Sequence, residues 1–508
     1  MTIDSVRSTE SAGSLICYLP MDLFATKSIA RLTADAEDKD HSLKRTLGPG
    51  QLIALGIGAI IGAGLFSLTG IAAGEHAGPA VVFSFVLAAF ACAFAGICYS
   101  EFATMIPISG SAYTYAYATM GELLAWIIGW DLVLEYSVAS ATVSISWSSY
   151  VVAILQDFGI NLPATLVASP WQPVKLADGS TVYGIMNLPA VLIVCAVSLL
   201  LIVGIKESAG VNAVLVALKV SVVVVFIIAG WGYMKPANHV PFIPPNTGTF
   251  GEFGWSGIVR GAGIIFFAFV GFDAVSTAAQ ETKKPQRDMP IGIIGSLAVC
   301  TVLYILFGWV MTGLAYYPTF KGSAAPVVIA IAQTPFMWLK TAVEFAIVCG
   351  YTSVMLVMLL GQSRVFFSMS RDGLLPKVFS DVHPKFRTPW RSNLLFMVFV
   401  SIFAAFAPIS IVGEMTSIGT LLAFVIVCFG VIVMRKTQPN LPRPFKTPWV
   451  PLVPIVGIIV NIGLMLGLGL SNWLRLIIWL IIGLVIYFSY SRYHSRLQLA
   501  SVEPVSKR

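Results

Sequence analysis

Lys219 has the most chemistry to offer in this sequence. It stands in Ala217-Leu218-Lys219-Val220, within an apolar stretch whose only nearby hydroxyl is Ser221. An ammonium at membrane depth is costly, so it is either paired or stripped of its proton for part of a working cycle. A group whose surroundings change during such a cycle could couple proton binding to transport. The plainer alternative is a structural lysine that snorkels to the interface. Glu135 and Asp273 also lie inside apolar segments. Glu135 would receive a cationic side chain of a substrate or brace the first segment; Asp273 would cap an inner half-helix or hold an inner gate. Thr352 and Ser353 add a hydroxyl pair, Arg260 fits a snorkelling role, and Glu344 faces a side that its sequence context does not specify.

Two glycine-rich stretches could supply backbone chemistry. The first is Leu55-Gly56-Ile57-Gly58-Ala59-Ile60-Ile61-Gly62-Ala63-Gly64-Leu65-Phe66. Glycine at this density weakens a helix, and backbone leaves helical geometry at membrane depth only where protein or a water-filled cavity satisfies it. A break near Gly62 to Gly64 would aim free amides, with a half-helix dipole behind them, at a small anion such as an amino acid carboxylate. The alternative is a small-residue seam for close helix packing. The second stretch runs from Gly261 to Asp273, with glycines flanking the aromatic run Phe266-Phe267-Ala268-Phe269.

The elements that must position these groups are membrane helices. The chain has 508 residues, 57% hydrophobic and 11% charged, with a mean hydropathy of +0.86. That composition defines an all-α polytopic membrane protein in a lipid bilayer. Twelve apolar segments are expected at 51–71, 80–103, 123–154, 188–205, 211–234, 258–279, 291–317, 339–361, 394–407, 411–434, 449–470 and 473–490. With the N-terminus inside, about 24 of the 31 Lys and Arg residues fall on the cytoplasmic side. Both termini are therefore expected in the cytoplasm. The net charge of +7 follows from these loops and not from a nucleic-acid surface.

The interrupted segments are the first and the sixth, equivalent positions in two five-helix halves. Five is odd, so the second half must insert upside down, and paired interruptions in inverted halves point to a transporter's binding site. The expected organisation is a tail over 1–46 with a short amphipathic helix from Asp22 to Leu32, a first repeat over 47–234, a second over 258–434, two extra helices over 448–490 and a cytoplasmic tail over 491–508. A solvated linker is the alternative to that amphipathic helix. Counted inward at about 1.5 Å per residue, both interruptions, Lys219, Glu135 and the Thr352–Ser353 pair fall about 12–18 Å from one face, near the bilayer midplane. One polar site there is the economical reading. Trp126, Trp130, Trp449 and Trp473 lie near segment ends, where an aromatic belt is expected.

Other chemistries find no support. The spacing of Gly56, Gly58 and Gly62 is not a dinucleotide loop, since the third glycine is one position late. The five histidines and seven cysteines form no metal-ligand or disulfide pattern, and there is no nucleophile constellation. No enzyme, cofactor or metal site is expected.

From Tyr99 through Glu101, Pro107, Ser109-Gly110-Ser111, Tyr113, Tyr115 and Tyr117 to Gly129-Trp130-Asp131 and Glu135-Tyr136, the chain closely resembles the cationic amino acid transporter family. That family belongs to the amino acid–polyamine–organocation superfamily. Gly56 to Gly64, Gln280 to Pro290, Gln362-Ser363-Arg364 and Arg371 to Pro376 match too. The twelve spans look like its bacterial members. The resemblance implies a LeuT-type 5+5 inverted repeat with broken helices 1 and 6, and secondary transport of an amino acid by alternating access. It implies that the substrate carboxylate meets the amides of Ile60, Ile61, Gly62, Ala63 and Gly64. The α-ammonium would meet carbonyls of Phe267, Ala268 and Val270, with Phe272 as a gating aromatic. Lys219 would stand where sodium-driven relatives bind a cation, which makes a proton the driving ion. Ala63 replaces the threonine of many relatives, and Tyr351 would put bulk near the side-chain pocket, favouring small neutral amino acids. The alternatives are a cationic amino acid transporter or exchanger, and an amino acid sensor in the transporter fold. The expected setting is the inner membrane; a small single-span membrane partner is compatible with it but not identified by it.

Overall fold

A computed structural model describes residues 22–28, 47–106, 111–170, 172–175, 181–204 and 209–502. Its long helices are α1 (Pro49–Ile60), α2 (Val81–Met105), α3 (Ser111–Thr119), α4 (Glu122–Val133), α5 (Ala139–Asp157), α6 (Leu188–Val203), α7 (Ala209–Trp231), α8 (Gly254–Ile265), α9 (Pro285–Leu314), α10 (Met337–Arg371), α11 (Trp390–Phe406), α12 (Ile409–Thr437), α13 (Leu452–Gly467) and α14 (Leu470–Ile486). Among the described residues, eight helical stretches are long and apolar enough to cross a membrane, and α1, α6, α11 and α13 are shorter apolar helices. A hairpin of β1 (Pro173–Lys175) and β2 (Thr181–Tyr183), with Val174 opposite Val182, lies between α5 and α6.

Local chemistry sets several of these boundaries. Pro49 opens α1 at a position where its missing N–H costs nothing, and Gln51 Oε1 accepts the Gly48 amide at 2.9 Å. Asn187 caps α6, accepting from the Ala190 amide at 3.3 Å and from Ser148 Oγ at 2.6 Å. The long third apolar segment divides into α4, a π-helical turn at Leu134–Val138, and α5. The ninth apolar segment, too short at 394–407 to span and so expected to extend at its start, begins as α11 at Trp390.

The core is formed by α1 and α2 against α9, α5 against α10, and α12 against α2 and α13. Arg435 grips the buried Glu101 through two hydrogen bonds of 2.9 Å, joining α12 to the end of α2. The two ends of the described chain also meet. Glu122 accepts hydrogen bonds from Tyr117 at 3.0 Å, Tyr487 at 3.1 Å and Ser495, and Gln498 donates to the Asp22 carbonyl at 2.7 Å.

The expected amphipathic helix over 22–32 is not formed in residues 22–28, which run as a turn and extended chain; residues 29–32 lie outside the described set. That segment instead bonds its backbone to Tyr117, Glu122 and Leu123. Lys27 pairs with Asp372 at 3.0 Å. Cross-chain partners for its amides and carbonyls replace the intrahelical ones, the usual way tertiary context overrides a weak local propensity. Two of the four belt tryptophans are likewise interior. Trp126, which is buried, and Trp130, which is half-buried, stack on one another and donate to the carbonyls of Gly483 and Trp479, so both anchor α14.

Candidate functional site

Helical geometry in the first glycine-rich stretch stops at Ile60. Ile61 is extended, with φ −72° and ψ 105°. The amides of Leu65 and Phe66 both reach back to the Gly62 carbonyl at 3.2 Å. Gly62 therefore supplies the first acceptor of the resumed helix, and the amides of Gly62, Ala63 and Gly64 precede its first internal bond. From Gly64 a run of π and α turns continues to Ala77.

The second stretch behaves in a related way. Helix α8 ends at Ile265, Phe266–Phe269 form a 3-10 turn, Val270 is extended at ψ 134°, and Gly271 has φ +111°. That φ is open only to glycine at low cost. The two irregular stretches touch. A Cβ on Gly64 would lie 2.2 Å from Ala268 Cα, and one on Gly271 would lie 3.0 Å from the Ala59 carbonyl oxygen. Tyr304 of α9 binds both, its hydroxyl lying 3.1 Å from the Ile60 carbonyl and 3.0 Å from that of Ala268.

A cavity of about 10 Å³ lies between them, lined by Ala59, Ile60, Gly62, Ala63, Phe267 and Val270 from these stretches. Ala139 and Val143 of α5 and Val354 and Met358 of α10 complete it. That volume holds about one water molecule, so an amino acid is admitted only when lining side chains move. Every side chain in the lining is apolar.

Five of the expected substrate-binding residues line this cavity: Ile60, Gly62, Ala63, Phe267 and Val270. Ile61, Gly64 and Ala268 adjoin it. The Ala268 carbonyl is engaged by Tyr304, and the Phe267 carbonyl accepts the Val270 amide at 3.2 Å. Phe272 is buried against Tyr99 and Phe424, with ring centroids 5.7 Å and 5.0 Å away, and does not face the cavity. Tyr351 does not line it either. Its hydroxyl lies 3.0 Å from Ser67 Oγ and its ring packs on Phe66 and Tyr150, one turn before Val354, while Val354 and Met358 supply the walls.

Lys219 is 1% exposed and donates to the Gly58 carbonyl at 2.7 Å. Its stem passes Gly350 of α10, where a Cβ would lie 3.1 Å from Lys219 Cγ. It thus ties α7 to α1 just before the first irregular stretch. Thr352 bonds its own helix at Val348 and accepts from Trp147, and Ser353 bonds Gly350; neither lines the cavity. Glu135 is buried in the π-helical turn, beside Asp273 and Thr420. Its neighbour Tyr136 donates to Asp273 at 3.0 Å. Sequence reasoning missed Tyr304, Ala139, Val143, Val354 and Met358. The four-residue spacing of 139/143 and 354/358 marks one face of each helix, but only the packing says which face is inward.

The family model described as "Amino acid permease" matches residues 47–494. The chain is 47% identical to the branched-chain amino acid permease BcaP of Bacillus subtilis over 475 residues, 94% of this chain and 99% of that protein. It is 42% identical to the methylthioribose transporter of the same organism, with the same coverage. A vacuolar cationic amino acid transporter of Arabidopsis thaliana is 35% identical over 79% of this chain and 65% of its own length. The chain is a multi-pass membrane protein and belongs to the amino acid permease family.

Proposed function

We propose that this permease carries out proton-coupled uptake of a neutral aliphatic amino acid by alternating access. The observation that carries the reading is the contact between the two irregular stretches across a cavity walled by apolar side chains. The amides of Gly62, Ala63 and Gly64 suit a carboxylate. The carbonyls of Phe267, Ala268 and Val270 suit the ammonium. Ala139, Val143, Val354 and Met358 suit an uncharged aliphatic side chain and offer a cationic one no counter-charge. The 47% identical relative, a branched-chain amino acid permease, favours the same class.

In this reading the irregular stretches are the breaks of membrane helices 1 and 6 in a twelve-span 5+5 inverted repeat, and both termini are cytoplasmic. Lys219 exchanges its Gly58 bond for solvent and a proton as helix 1 moves. The test is transport by purified protein in proteoliposomes. Labelled leucine or valine should show counterflow, excess unlabelled arginine should compete weakly, and Lys219→Met should abolish uptake driven by a pH gradient. Binding without exchange would make the protein a sensor; undiminished gradient-driven uptake in Lys219→Met would reject the coupling role. A second reading, a neutral thioether sugar, draws on the 42% identical relative and the apolar walls. Such a sugar has no carboxylate for the amides, so competition by methylthioribose against leucine separates the two.

A further inference from the structure

Glu344 is a buried carboxyl group that the substrate site does not use. Its side chain is 1% exposed, and the groups beside its oxygens are the Lys340 ammonium and the Asp157 carboxyl group. Its ion-pair partner is Lys340, one turn away on α10, with Nζ at 3.8 Å. Lys340 is drawn elsewhere, to Asp157 at the end of α5, at 2.5 Å. One ammonium therefore serves two carboxyl groups and sits closer to the more exposed of them, since Asp157 is 27% exposed. Two adjacent carboxylates that share one ammonium are expensive where one of them is buried, and protonation is the usual escape.

The position of this trio gives it a function. Helices α5 and α10 run antiparallel, and their facing residues recur every seven positions, two helical turns or about 10.5 Å. Asp157, Tyr150 and Val143 follow one another on α5; Glu344, Tyr351 and Met358 do so on α10. The rungs are observed at each level. Lys340 joins Asp157 and Glu344 at the first. Tyr150 and Tyr351 pack edge-on at 5.7 Å at the second, with Tyr150 donating to the Phe66 carbonyl at 2.6 Å. Val143 and Met358 line the cavity at the third. The seam that leads inward to the cavity thus begins at Glu344, and its tyrosine rung is bonded to the helix that resumes at Gly64.

We infer that Glu344 is a proton-binding site at the outer end of the α5–α10 seam, loaded and unloaded as Lys340 moves between Asp157 and Glu344. With Lys340 on Asp157, Glu344 holds a proton taken from outer water. When Lys340 turns to Glu344, that proton leaves and the ion pair replaces it. The charged and titratable groups facing Glu344 are Lys340 on its own helix and Asp157 and Tyr150 on α5. A proton is favoured over a substrate ammonium because the Glu344 side chain is only 1% exposed. The inference rests on the orientation proposed above, which puts this end of α5 and α10 outside.

The test is infrared difference spectroscopy of the full-length protein in lipid nanodiscs across a pH series. Wild type should show a protonated-carboxyl band that titrates and is absent from Glu344→Gln. Lys340→Met removes the cation, so the band should persist to higher pH by about one unit or more, the size of effect an adjacent opposite charge has. Asp157→Asn releases Lys340 toward Glu344 and should shift the band the other way. Opposed shifts support the switch. Identical spectra for wild type and Glu344→Gln overturn it, as do shifts of the same sign in Lys340→Met and Asp157→Asn. Because the spectrum reads the proton directly, an inactive wild type in the leucine assay would sink the transport reading while leaving this one to be decided.

Discussion

Gly64→Ala is the sharpest probe of the binding site. Its Cβ would meet Ala268 Cα at 2.2 Å and the Ala268 amide nitrogen at 2.5 Å. Both are backbone atoms, so no side chain can turn aside. Reaching the ordinary contact distance of 3.4 Å means separating the two irregular stretches by about 1.2 Å. A hydrogen bond of about 2.9 Å lengthened by that much is no longer one. If one amide of the Gly62–Gly64 group loses a carboxylate, the cost is about 1.5–3 kcal/mol, or roughly a 10- to 150-fold weaker Kd. Overpacking adds about 1–3 kcal/mol of lost stability, read as a lower Tm of the unliganded protein. Equilibrium binding of labelled leucine to purified protein gives the first quantity and a thermal unfolding scan the second. Gly62→Ala is the control, since its Cβ would meet only Val354 Cγ2 at 3.4 Å and its Tm should stay near wild type. A Gly64→Ala protein that binds leucine as tightly as wild type would refute the reasoning, because the two stretches would then not be fixed against each other.

Other substitutions test separate contacts. Gly271→Ala, at φ +111°, should lower Tm by the equivalent of about 1–2 kcal/mol. Tyr304→Phe removes the hydroxyl shared by Ile60 and Ala268 and should weaken leucine binding several-fold, by about 0.5–1.5 kcal/mol; unchanged binding would mean that Tyr304 does not steady the site. Met358→Glu puts a carboxyl group into the apolar wall, so leucine counterflow should fall and arginine should compete better than it does in wild type. Asp372→Asn weakens the pairing of Lys27 with Asp372 and the 2.8 Å bond from Tyr113. Limited proteolysis near residue 28 should then become faster, and an unchanged cleavage rate would count against docking of that segment.

Composition and the glycine runs carried the helical membrane character and the irregular stretches, because apolar length and helix-weakening residues are local properties. They locate α1, α8 and the irregular stretches after them to within a few residues. The tertiary pairings were not legible in the same way. Tyr351 reads as pocket bulk until its hydroxyl is seen on Ser67, and Met358 reads as one more apolar residue until its face is known. Residues 22–28 have a helical apolar pattern, yet the backbone partners offered by Tyr117 and Leu123 outcompete an isolated turn. The sequence context of Glu344 is silent about direction, and only Lys340's choice of Asp157 reveals what the carboxyl group lacks.

Glu122, at the head of α4, is completed by hydroxyls from Tyr487 and Ser495, more than 360 positions later in the chain. A ribosome delivering this protein in order makes the acid long before its donors exist. Until the final helix arrives, that corner must stay wet or shielded by other proteins, so truncations after Ser471 should stall in assembly even with every substrate contact already synthesised.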